Sequence, residues 1–161
     1  MQYGFIKVGA AIPLVSVADT KYNTEQLIAM AHRAHEEGAE VTVFPELCIT
    51  GYTCGDLLTQ QTLLQEVENS VEEFSEATKE YDNIYIIGAP IYVCGALYNC
   101  ALVMQQGLIL GIVPKCYIPN YGEFSERRWF STGYNLRMED DIHYAGQWVH
   151  IGSYQIFHTD R

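Results

Sequence analysis

Val43-Phe44-Pro45-Glu46-Leu47-Cys48-Ile49-Thr50-Gly51-Tyr52 is the stretch on which the fold reading turns. An apolar β run ends in a proline, and the next residue is a carboxylate. A buried strand is rigid and the loop beyond it is open, so α/β proteins place working groups at such ends. Val113-Pro114-Lys115-Cys116-Tyr117-Ile118-Pro119-Asn120-Tyr121-Gly122-Glu123 has the same construction, with a lysine in place of the acid. The expectation is that these two strand ends meet.

Upstream, residues 5–12 (FIKVGAAI) are expected to form a buried first strand closed by Pro13. Asn23 is expected to cap a helix, with Gln26 as its capping-box partner. Leu27, Ile28, Ala31 and Ala34 follow at helical spacing, and Gly38 falls at the C′ position that ends the helix. Residues 40–44 form the next strand. Strand, helix and strand joined by short loops make a βαβ unit, whose strands run parallel.

Downstream, Leu63, Leu64, Val67, Val71 and Phe74 mark one face of a long helix. The glutamates between 66 and 80 crowd its other faces and read as a solvated surface. Residues 84–88 are a third strand. Three β runs follow at 90–94, 97–104 and 107–113, separated by glycine-containing gaps that suggest antiparallel hairpins. The sheet is therefore expected to be mixed. Residues 114–147 are polar, aromatic and aperiodic, which suits a binding loop. A final strand pair is expected at 148–152 and 154–158. No linker or repeat divides the chain. Its last strand meets Arg161 with nothing to cover it, so the chain reads as the N-terminal part of a longer one.

The chain has 161 residues and a net charge of −11, with nine Lys and Arg among twenty acids. That balance argues against nucleic acid and against anionic membrane surfaces as partners. Residues 5–17 are apolar, but Lys7 and Pro13 interrupt them and no basic segment precedes them, so they are not read as a signal peptide. A cytoplasmic setting follows, in which the five cysteines stay reduced. Their spacings are not those of zinc sites, and all five read as inert, with Cys94 and Cys100 buried in hairpins. His32 and His35 lie one helical turn apart without a third metal ligand. The chain has no G-x-S-x-G, no phosphate loop and no H-E-x-x-H.

Glu46, among apolar neighbours, is either a desolvated general base or a solvated loop acid. Lys115 is either an oxyanion stabiliser or a strand-end lysine reaching water. Glu123 alone is an ordinary loop acid.

Phe44-Pro45-Glu46-Leu47 with Thr50-Gly51-Tyr52, and the run 114–130 (PKCYIPNYGEFSERRWF), resemble the nitrilase, or carbon–nitrogen hydrolase, superfamily. Cys54-Gly55-Asp56-Leu57, Pro119-Asn120-Tyr121 and Glu126-Arg127-Arg128-Trp129-Phe130 narrow the resemblance to the N-terminal glutaminase domains of glutamine-dependent NAD synthetases. The resemblance implies an α/β fold, a four-layer αββα sandwich with mixed sheets, of which this chain holds only the N-terminal part. It implies Glu46 as general base, Lys115 as stabiliser of the tetrahedral intermediate, Glu123 as the second glutamate and Tyr121 as a contact to the substrate, L-glutamine. The family's nucleophilic cysteine lies beyond residue 161, so the chain alone is expected to be inactive. ATP and Mg2+ are implied for a C-terminal synthetase domain, and a homo-oligomer is implied for the whole protein. A stand-alone nitrilase-type amidase and a non-catalytic nitrilase-like interaction module are the alternatives.

Overall fold

The computed structural model describes residues 4–136 and 141–158. Five strands form one sheet in sequence order: β1 (Val8–Ala10), β2 (Val41–Val43), β3 (Ile84–Val93), β4 (Ala96–Gln105) and β5 (Leu108–Pro114). β1, β2 and β3 are parallel, and β3, β4 and β5 are antiparallel. The mixed sheet and the parallel βαβ start thus match the sequence expectation.

Two helices, α1 (Thr20–Glu36) and α2 (Gln61–Thr78), cover one face of the sheet. The alternation of β3 sends Tyr85, Ile87, Ala89 and Ile91 toward the helices, and all four are buried. Phe74 of α2 stands edge-on to both Phe44 and Tyr85, and the Tyr85 hydroxyl donates to the Ala31 carbonyl of α1. The opposite face is also apolar but less covered: Val8 and Val43 are exposed there, and Ile86, Ala101 and Val113 are half-buried.

Four elements differ from expectation. The first strand is Val8–Ala10, not residues 5–12, and as the edge strand of the sheet it is not buried, since Phe5, Val8 and Ile12 are exposed. Asp19, not Asn23, caps α1, by accepting from the Tyr22 amide. Asn23 is buried one turn inside the helix. Its side chain accepts from the Ser16 amide and donates to the Ser16 and Ile49 carbonyls, so it ties the helix to the turn that carries Glu46. β3 runs unbroken through Pro90, although residues 84–88 and 90–94 read as separate strands. The ladder to β2 ends at Ile86, so a residue without an N–H is tolerated farther along.

The last hairpin pairs β6 (Ile142–Tyr144) with β7 (Gln147–Val149), not 148–152 with 154–158. Ala145 and Gly146 form its two-residue turn, both at positive φ. Glu68 of α2 accepts from the Ala145 amide, so this one member of the glutamate run has a structural task. His150–Gly152 bonds to both backbone groups of Ile112, closing the outer edge of β5. Residues 153–158 contain no strand, and Gln155 and Phe157 lie against Gly111. Residues 137–140 of the long loop and Arg161 lie outside the described residues. No helix among the described residues is long and apolar enough to cross a membrane.

Candidate active site

Glu46 reaches the sheet because Gly88 has no side chain. The segment Pro45–Leu47 leaves β2 and crosses directly over Gly88 of β3. A Cβ there would stand 2.5 Å from the Leu47 nitrogen and 2.6 Å from Glu46 Cα. The chain then turns at Leu47, which is fully buried at φ +53°, a backbone region that non-glycine residues seldom occupy. The Thr50 and Gly51 amides both donate to the Leu47 carbonyl and fix the turn.

Lys115 follows the last residue of β5. Its amide donates to the Asn99 carbonyl of β4 at 2.8 Å. Strand alternation then sends its side chain to the face over which Glu46 passes.

The two strand ends meet, as expected. Lys115 Nζ donates to Glu46 Oε2 at 2.8 Å. The same ammonium donates to both oxygens of Glu126, at 3.1 and 3.0 Å. Glu126 is 5% exposed, and its Oε1 also accepts from the Tyr52 hydroxyl at 2.7 Å. A 3₁₀ turn, Glu126–Arg128, holds it in the long loop. Burial pushes the Lys115 ammonium down, but the bonds to Glu46 and Glu126 outweigh it and its pKa stands above the ordinary lysine value. A lysine so held remains a cation across the neutral range. Its contribution to stability is present below the ordinary lysine pKa and is lost only as pH rises through the higher folded value. Burial first, and then the bond to Glu126, raises the Tyr52 phenol, so this tyrosine stays a donor.

The alternatives left open at Glu46 and Lys115 are decided by their exposure. Glu46 is not desolvated, since its side chain keeps 45% of its surface exposed. Lys115 does not run out to water, because its side chain is 27% exposed and clamped between two carboxylates. Glu123 is exposed and does not bond Lys115. It lines a small cleft with Tyr52 and Glu126. Tyr121 is 72% exposed, edge-on to Phe124, in a groove of about 1000 Å³ that reaches Lys115. A second hollow of about 350 Å³ lies on the sheet side of the ion pair, lined by Phe44, Glu46, Gly88, Asn99 and Lys115.

Glu126 and Asn99 also belong to the site, although the sequence expectations do not include them. Asn99 carries a signal that could have found it: an amide within the apolar run Leu97-Tyr98-Asn99-Cys100-Ala101 must be buried and needs a partner.

The cysteines divide by burial. Cys48 is buried, and loss of solvation pushes its thiol up to about 11. Cys54 and Cys100 are buried and raised for the same reason. Cys94, expected to be buried, is exposed in the β3–β4 turn at φ +50°. Brief treatment of the folded protein with a thiol reagent at pH 8 is expected to label Cys94 and spare Cys48, Cys54 and Cys100 until denaturant is added. Peptide mass mapping would read this. His32 bonds the Tyr81 hydroxyl, and His35 stacks on the Tyr81 ring and bonds Asn83. Both pin the end of α1 to the loop before β3. No group of three or more His, Cys, Asp or Glu able to hold a metal occurs among the described residues.

Comparison with known proteins fits this arrangement. The family model described as carbon-nitrogen hydrolase matches residues 8–152. A glutamine-dependent NAD(+) synthetase of Mycobacterium leprae is 37% identical over 130 residues, covering 81% of this chain and 19% of that protein. One from Aquifex aeolicus is 36% identical over 118 residues, covering 73% of this chain and 20% of its own length. The chain therefore spans about a fifth of the length of these curated relatives. Among solved structures, a glutamine-dependent NAD(+) synthetase from Cytophaga hutchinsonii superposes with a TM-score of 0.82 at 24% identity, over 94% of this chain and 26% of that one. An amidase from Nesterenkonia sp. shares the fold at a TM-score of 0.69 and 18% identity, over 89% of this chain and 53% of that one. With the family model covering most of its length and the paired strand-end charges in place, the chain belongs to the carbon-nitrogen hydrolase family.

Proposed function

We propose that this chain is the N-terminal portion of a glutaminase domain that supplies ammonia for glutamine-dependent NAD synthesis. The observation that carries the reading is the ammonium of Lys115 joined to Glu46 and Glu126 at one end of the sheet. The glutamine-dependent NAD(+) synthetases that match most of this chain give the reaction its class and substrate. The apolar sheet face left half-open supports a second layer from a longer chain.

The site performs the chemistry in the following way. A cysteine thiol from a later part of the domain enters the hollow beside Glu46. Glu46 takes the thiol proton, since a thiol is mostly protonated near neutral pH and the thiolate is the nucleophile. The sulfur attacks the side-chain amide carbon of glutamine. Negative charge gathers on the amide oxygen, and the Lys115 ammonium stabilises it. The C–N bond breaks as Glu46 returns the proton to the departing nitrogen, which leaves as ammonia. Water activated by Glu46 then cleaves the thioester to glutamate and frees the thiol. Glu126 keeps Lys115 aimed at the site, and Tyr52 in turn holds Glu126. Glu123 is assigned the role of second acid at the cleft it shares with Tyr52, and Tyr121 that of a groove contact to glutamine.

The described residues offer no metal-binding cluster of their own. ATP and Mg2+ are assigned to a synthetase portion of the longer chain, which would use the ammonia. Isolated residues 1–161 are expected to turn over no glutamine. The full-length protein is expected to release ammonia and glutamate from glutamine in equal amounts. A full-length protein that releases no ammonia from glutamine would overturn the reading.

A further inference from the structure

Asn99 is 2% exposed, in the middle of β4, on the face over which Glu46 passes. Its backbone carbonyl accepts from the Lys115 amide at 2.8 Å. Its side-chain Nδ2 donates to Glu46 Oε2 at 3.3 Å. One residue therefore touches both strand-end groups: it anchors the backbone of the lysine and the carboxylate of the acid. The bonds to Glu46 are lopsided. Lys115 Nζ and Asn99 Nδ2 both end on Oε2, and among the described residues no donor is recorded on Oε1. A carboxylate gripped by two donors on one oxygen has its other oxygen oriented and free.

We propose that Asn99 is a positioning residue that fixes Oε2 of Glu46 and leaves Oε1 as the atom that accepts the proton. This rests on the glutaminase reading above. The burial of Asn99 matters, because an amide packed on a rigid strand has few rotamers to sample and holds its donor in place. The titratable groups around Glu46 are Lys115 at the end of β5, Glu126 of the loop on the same ammonium, and Tyr52, which Glu46, Glu126 and Glu123 all influence, with the buried thiol of Cys100 lining the same hollow. Asn99 alone among the donors to Glu46 is uncharged at every pH, so its loss alters the carboxylate without removing the cation.

The test uses the full-length protein with Asn99→Asp and Asn99→Ala, reading kcat/KM for ammonia release from glutamine between pH 5 and 9. A donor to the ionised carboxylate favours its charged form, and the base works only when ionised. Loss of the donor should therefore move the acidic limb of the profile to higher pH. The move should be larger for Asn99→Asp, which sets a second negative charge beside Glu46. At the optimum kcat/KM should fall about 10- to 100-fold, the usual cost of losing a bond to a charged group. KM should change little. A thermal melt identifies variants that fold, and Asn99→Ser replaces any that does not. A folded variant that loses activity equally at all pH values, or loses none, overturns the proposal. A wild-type protein without glutaminase activity at any pH counts instead against the function itself.

Discussion

Glu46→Gln in the full-length protein is expected to lower ammonia release from glutamine about a thousandfold or more, while the protein still folds and melts near the wild-type temperature. General acid–base groups typically contribute about 10²- to 10⁴-fold, and in the proposed mechanism one carboxylate activates the thiol, protonates the leaving nitrogen and activates water. Glutamine keeps the volume and one carbonyl acceptor for Lys115 and Asn99, so local packing survives. The side chain is 45% exposed, which is why stability should change little. A steady-state assay with glutamine, beside a thermal melt, checks both halves of the prediction. Turnover within tenfold of wild type would remove Glu46 from the mechanism.

Gly88→Ala is expected to produce the largest loss of stability of any single methyl addition near the site. The added Cβ would meet Leu47 N at 2.5 Å, Glu46 Cα at 2.6 Å and Pro45 O at 2.6 Å. All three are backbone atoms, so no side chain can swing aside. The cost should be about 3 kcal/mol or more, at the upper end for overpacking. Gly38 supplies the contrast. It sits past the end of α1 at φ +72° with nothing near its missing Cβ. Gly38→Ala should therefore cost only about 1 kcal/mol, through backbone strain alone. Any Gly88→Ala protein that folds should also lose about a hundredfold in ammonia release, because the atoms it displaces carry the proposed general base. Denaturant titration and the glutamine assay read the two effects. A Gly88→Ala protein as stable as Gly38→Ala would show that the crossing over β3 is not tight.

Much of this architecture is legible in the sequence, for a local reason. An apolar run, a proline and a charge are enough to place Glu46 and Lys115 at strand ends, and the βαβ rhythm is enough to make β1 and β2 parallel. What the sequence hides is long-range. Asp19 and Asn23 are both good capping residues, and nothing local says that Asn23 will be drawn inward to serve Ser16 and Ile49. Glu123 and Glu126 lie three residues apart in an aperiodic loop. Only the 3₁₀ turn and the tyrosine 74 positions away decide that Glu126 is the buried partner of Lys115. The role of Gly88 is hidden for the same reason, since a glycine in a strand says that something comes close and not what it is.

The unity of the site is tested most directly by a double-mutant cycle on glutamine turnover with Glu46→Gln, Lys115→Met and the pair combined in the full-length protein. The two side chains are 2.8 Å apart, and groups that act as one unit are strongly non-additive. The double variant should be hardly slower than the slower single variant. Losses that multiply in full would mean that the acid and the cation act independently, and the shared site described here would be wrong.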